Sequence, residues 1–225
     1  LSTLQVDRPL DATFVLSHLA AIEAAFPVLT GRLDSARVAV AGHSFGSYTV
    51  TSTAGGKVNL SKTVPTARGL LFSDPRVRAF LALSPQGIDR FGWEADSWDG
   101  LTRPYMTITG SCDDSAGEQA IDRLDPFRYA PAGDKYLAYV TGAYHKTIGG
   151  NGYDQPGFPR PDLVPFIRMA AIAFLDSSLK DCSAAKQWLR TQGLSSASAG
   201  RATMHWKLLD SQETAIPVTA CSPAN

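Results

Sequence analysis

Residues 42–46, Gly42-His-Ser-Phe-Gly46, fit the pattern G-x-S-x-G. A serine hydroxyl is a weak nucleophile, so the pattern carries chemistry only if a base can take its proton and a third group orients that base. On composition alone, roughly one chain in seven of this kind would contain the pattern by chance. Its setting adds weight. It follows the apolar run Arg37-Val-Ala-Val-Ala41 and leads into the small-residue stretch 45–54, the strand–turn–helix context that a nucleophile elbow requires. The flanking glycines suit a turn too crowded for a Cβ. Of the four histidines, His18 falls in a helical stretch, His43 inside the turn itself and His205 in a polar tail. His145, in Gly142-Ala-Tyr-His145, follows a late strand, where α/β active sites collect. Asp113 and Asp114 directly follow the strand 105–109, and either could orient the histidine or cap a helix. The order Ser44, Asp, His145 is that of one of the three familiar serine-triad orders.

The elements that must hold these residues are readable in outline. Asp7-Arg-Pro-Leu-Asp11 followed by Phe14, Leu16, Leu19, Ile22 and Phe26 predicts a helix over 9–26. Short apolar runs predict strands at 37–41, the first of them buried on both faces, and at 78–83, 105–109 and 135–141. Helices are expected at 45–54, 115–124, 163–179 and 183–191, the third marked by Phe166, Ile167, Ala170, Ala171, Phe174 and Leu175. Strands separated by helices indicate an α/β layer fold with a mainly parallel sheet. One domain over 1–193 is expected, with 194–225 a loosely packed tail on the same domain.

These segments resemble an α/β-hydrolase, and more closely the family of predicted dienelactone-hydrolase-like esterases with platelet-activating-factor acetylhydrolases. The matching stretches are Arg8-Pro-Leu-Asp11, Gly31-Arg-Leu-Asp34, the turn 41–46, Leu83-Ser-Pro-Gln-Gly87, Ser97-Trp98, Thr109-Gly-Ser-Cys-Asp-Asp-Ser115 and Gly142-Ala-Tyr-His145. The resemblance implies Ser44 as nucleophile, His145 as base and Asp113, rather than Asp114, as the acid. It implies an acyl-enzyme mechanism on short- to medium-chain carboxylic esters or lipid acetyl esters. True dienelactone hydrolases use a cysteine where this chain has Ser44, which favours ordinary esters. The backbone N–H of Phe45, next after the nucleophile, is the expected oxyanion donor. A full hydrolase fold places about four strands before the nucleophile. Here one helix precedes it, so those strands and the loop bearing the second oxyanion donor are expected to be missing from residues 1–43.

Other features bound the reading. Lys plus Arg and Asp plus Glu are 21 each, which argues against a nucleic-acid-binding surface. No apolar stretch approaches the roughly 20 residues of a membrane span. No His/Cys set has ligand spacing, so neither metal nor organic cofactor is expected. Phe91, Trp93 and Trp98 would line a substrate pocket beside the turn or form a small core of their own loop. The stretch 149–161 is a long loop, a lid or a plain crossover. Cys112 reads as a small buried residue; Cys182 and Cys221 either form a disulfide, which would suit a secreted or periplasmic protein, or stay free thiols, with a cytoplasmic protein as the alternative. Two rivals stand beside the esterase of small-molecule esters: a non-catalytic hydrolase-like interaction protein or fragment, and a polyester or lipid hydrolase of the same fold.

Overall fold

Four parallel strands carry their C-terminal ends to one edge, and that edge holds every candidate catalytic residue. In the computed structural model, which describes residues 2–60, 67–115, 117–150, 160–209, 216 and 219–221, the sheet has the order β1 (Val38–His43), β2 (Val77–Leu83), β3 (Tyr105–Cys112), β4 (Lys135–Tyr144), β5 (Ala202–Lys207). The first four strands run parallel; β5 pairs antiparallel with β4, from Lys135 opposite Lys207 to Val140 opposite Ala202. The chain is therefore α/β, with a mostly parallel five-stranded sheet flanked by helices.

The alternation of each strand explains the two cores. Ala79 and Leu81 of β2 point to one face, with Met106, Ile108, Ala138 and Val140. There they meet Phe166, Ile167, Ala170 and Phe174 of α6 (Val164–Leu179). Phe80 and Ala82 point to the other face and meet Tyr48, Val50 and Ala54 of α3 (Phe45–Ala54). Each large apolar side chain buried this way contributes roughly 1.5–3 kcal/mol. The small residues of α3 do what their size allows: Ser47, Thr51, Ser52 and Thr53 are buried at the helix–sheet contact.

Several expectations need correction. The predicted helix 9–26 begins earlier and divides at His18 into α1 (Ser2–Ser17) and α2 (Leu19–Ala25), with Pro9 inside the first. The strand at 37–41 is half-buried rather than covered on both faces, and Ala41 is exposed, because β1 has no partner on its outer side among the described residues. No continuous helix covers 115–124. Gly117 turns the chain at φ +80° within a span closed by a Ser115–Glu118 bridge, and helix begins only with a 3-10 turn at Asp122–Leu124 and α4 (Asp125–Tyr129), where Pro126 suits a first turn. β3 and β4 run three residues longer than expected, to Cys112 and Tyr144, and so deliver Asp113 and His145 directly at strand ends. Past α7 (Ser183–Leu189), the supposed loose tail contains α8 (Gly193–Ala197) and β5, whose Ala202 and Met204 join the first core. The loop at 149–161 lies, over residues 151–159, outside the described residues.

Candidate active site

Ser44 sits between β1 and α3 with φ +56° and ψ −122°, a region that non-glycine residues occupy at a cost of about 1–3 kcal/mol. The surroundings hold it there. Its N–H donates to Leu83 O (2.9 Å), and its carbonyl accepts from Ser47 Oγ (2.6 Å) and Gln86 Nε2 (2.8 Å). A Cβ at Gly42 would collide with the Gly46 carbonyl, whereas one at Gly46 would meet nothing within 4 Å. The crowding expected of both glycines therefore applies to the first alone. The Phe45 N–H opens α3, where helical N–H groups have no intrahelical acceptor.

His145 begins a short helix, α5 (His145–Gly149), directly from the end of β4. Its Nδ1 lies 2.7 Å from Asp113 Oδ1, and the carboxylate itself is fully buried. A carboxylate only accepts, so this contact puts the proton on Nδ1 and leaves the Nε2 lone pair free to act as a base. The second carboxylate oxygen accepts from Thr109 Oγ1 at 2.7 Å. Asp114 is placed differently: its Oδ1 accepts from the Ala120 N–H (2.8 Å) and braces a turn.

His43, adjoining Ser44, brings the turn against the base. Its ring centroid is 4.5 Å from that of His145, and its Nε2–H donates to the His145 carbonyl at 3.0 Å. Burial, reinforced by the neighbouring His145, pushes the His43 pKa below its ordinary value and so favours the neutral imidazole. Gly149 packs directly on the His43 ring and leaves no room for a Cβ.

Behind the acid lies a charged cluster that the sequence did not announce. Arg123 is 1% exposed, and its Nε lies 3.2 Å from Asp113 Oδ1. Glu118 Oε2 stands 3.4 Å from Arg123 Nη1, while Glu118 Oε1 accepts from the Gly87 N–H at 2.9 Å. Burial raises the Glu118 pKa, and the Arg123 charge opposes that rise. Thr109, Gln86, Glu118 and Arg123 were all missed. Gln86, Glu118 and Arg123 reach partners in distant loops, whereas Thr109 bonds Asp113 only four residues along the same segment.

The aromatic residues separate. Trp93 and Trp98 are 1% and 0% exposed, packed with Tyr48 in the second core, and offer no surface to a substrate. Phe91 stays near the turn, its ring 5.1 Å from that of Phe45, and its carbonyl accepts from Gln5 Nε2 (2.8 Å). Arg8 lies over the other neighbour, Phe45, at 4.9 Å.

The disulfide differs from expectation. Cys112 pairs with Cys221, with Cα atoms 4.8 Å apart, and Cys182 is a free thiol. Cys182 follows Asp181, which reaches Arg78 near the start of β2, whereas Cys112 ends β3. They stand at opposite ends of the sheet, and a disulfide needs Cα atoms within about 7 Å. Tyr139 OH donates to Thr219 O (3.3 Å) and steers the tail to Cys112. A cleft of about 740 Å³ runs between this tail and the acid loop, lined by Asp114, Glu118, Tyr139 and Thr219.

Among the described residues no group of His, Cys, Asp or Glu could hold a metal ion, and no helix is long and apolar enough to cross a membrane. No protein-family model matches the chain, and no curated protein matches it either.

Proposed function

We propose that this chain is a serine carboxylic-ester hydrolase of the α/β-hydrolase type, resembling the dienelactone-hydrolase-like and platelet-activating-factor-acetylhydrolase-like esterases. The observation that carries the reading is the His145–Asp113 pair at 2.7 Å, with a fully buried carboxylate, beside a serine fixed at positive φ on the same strand-end edge. Such a pair holds one imidazole tautomer and stabilises the imidazolium that forms when the base takes a proton.

In the proposed reaction Ser44 Oγ adds to the ester carbonyl while its proton passes to His145 Nε2. The oxyanion takes a hydrogen bond from the Phe45 N–H. The tetrahedral adduct collapses, the C–O bond to the alcohol breaks, and His145 returns the proton to the leaving oxygen. Water then repeats the sequence on the acyl-enzyme and releases the acid. The substrate class is short- to medium-chain carboxylic esters or lipid acetyl esters. The Cys112–Cys221 disulfide supports an oxidising compartment, outside the cell or in a periplasm.

The test is fluorophosphonate labelling followed by peptide mass mapping, together with hydrolysis of p-nitrophenyl acetate. The expected result is one adduct on Ser44, lost in Ser44→Ala, and ester turnover that falls with it. A folded chain that neither labels nor hydrolyses the ester overturns the reading and leaves the non-catalytic alternative.

A further inference from the structure

We infer that Arg123 is a positioning residue of this site, a buried fork that sets the acid loop and the loop beside the nucleophile at one fixed separation. The inference rests on the esterase reading and adds to it a residue outside the triad.

The guanidinium is almost wholly removed from water, and its donors go to two loops that are far apart in sequence. On the acid side, Nε donates to the Asp113 carbonyl at 2.7 Å and also faces the Asp113 carboxylate at 3.2 Å. On the other side, Nη1 donates to Ser84 O (3.1 Å) and Pro85 O (3.0 Å). Those two residues follow β2 and lead directly to Gln86, whose side-chain amide holds the Ser44 carbonyl. A continuous run of contacts therefore links Asp113 through Arg123 to the backbone of Ser44. Ser84 adopts φ +51°, an uncommon conformation for a residue with a side chain, and its carbonyl is among those the fork binds.

The choice of residue fits the task. Only the guanidinium offers five donors in a rigid plane; a lysine ammonium would bring the charge without the fork. Such a buried cation needs opposite charge, and both Asp113 and Glu118 supply it. Glu118 also accepts from the Gly87 N–H, so the counter-ion grips the same loop that the fork binds. Among the described residues the hydrogen bonds and ion pairs of Arg123 go to Asp113, Ser84, Pro85, Ser115 and Glu118, and to neither Ser44 nor His145. Arg123 acts through where Asp113 and Gln86 stand, and misplacing catalytic groups by about 1 Å costs on the order of 10²-fold in rate.

The experiment compares wild type, Arg123→Lys and Arg123→Met, each checked for folding by circular dichroism. The readouts are kcat and KM on p-nitrophenyl acetate and the fluorophosphonate labelling rate of Ser44. The expected result for Arg123→Met is a kcat lower by about 10²-fold with KM within about twofold, and labelling slowed to match. Arg123→Lys should recover part of this, remaining about 10-fold below wild type, because it restores charge without geometry. Should Arg123→Met not fold, Arg123→Lys decides. A folded Arg123→Lys with wild-type kcat and labelling rate, or with a change in KM alone, overturns the inference. If wild type itself fails to label, the esterase reading falls and takes the inference with it. Labelled wild type beside unaffected variants removes the inference only.

Discussion

Each end of the sheet buries a cation, and the two are kept in different company. Lys135, at the start of β4, is fully buried and donates to the Gly133 carbonyl, and burial drives its pKa down from 10.5 to about 8. Its cross-strand neighbour is another lysine, Lys207, whose Nζ donates to Arg128 O at 2.7 Å. Arg123, at the opposite end, lies between two carboxylates and is wired to the loops that carry them. Lys135 fastens the Gly133 backbone carbonyl where strands begin. Arg123 stands where strands end, at the edge that also holds a serine at positive φ, a buried carboxylate and two histidines in ring contact. Burial of a charge does not mark a site by itself; the groups gathered around it do.

That contrast can be broken or sharpened by four measurements. The largest effect is expected at the acid. Asp113→Ala should lower kcat/KM for p-nitrophenyl acetate by about 10⁴-fold, while Asp114→Ala stays within a few-fold of wild type. The reverse pattern would move the acid's role to Asp114 and separate it from Arg123. Next is the covalent tie at the same end. Cys221→Ser should lower unfolding stability by about 2–4 kcal/mol, and thiol reductant should reproduce that in wild type. Cys182→Ser, at the other end, should change stability by no more than about 0.5 kcal/mol.

At the strand starts the expected signature is thermodynamic rather than catalytic. Lys135 has a folded pKa of about 8, below its ordinary 10.5, so across that window the unfolded chain binds more protons and stability rises with pH. Denaturant titrations of Lys135→Met should show that rise removed, with kcat unchanged. A loss of activity in this variant would erase the distinction between the two ends. The smallest effect belongs to His43. Its pKa is also depressed, so stability should fall as pH drops below 6.5, where the unfolded histidine gains a proton that the folded one resists. His43→Gln should flatten that decline, read as urea midpoints from about pH 7 to about pH 5.

What could be read from the sequence was what neighbouring residues determine. The Ser44 turn announces itself through Gly42 and an apolar strand, and the α6 face through its helical spacing. The choice of Asp113 came from a family resemblance, and the structure sets it beside His145. What could not be read depends on distant partners. β5 lies in a stretch that includes Thr203, His205 and Lys207, and becomes a strand by pairing with residues 135–140. Trp93 and Trp98 read equally as pocket residues or as a loop core until Tyr48 is seen tilted against the first and Tyr129 stacked on the second. Cys112 pairs with Cys221 across 109 residues of sequence, and no local spacing marks that partner over Cys182. Arg123 draws its partners from residues 84–118, and nothing beside it in the chain foretells them.

The Cys112–Cys221 bond also has a consequence for how the protein would survive damage. It encloses residues 113–220, which include Asp113, Arg123 and His145 but not Ser44. A protease that nicks the chain once anywhere within that span yields two polypeptides still joined as one molecule under oxidising conditions. Where the cut falls before His145, the half bearing His145 stays leashed to the half bearing Ser44; wherever it falls, the nick shows on a gel only after reduction.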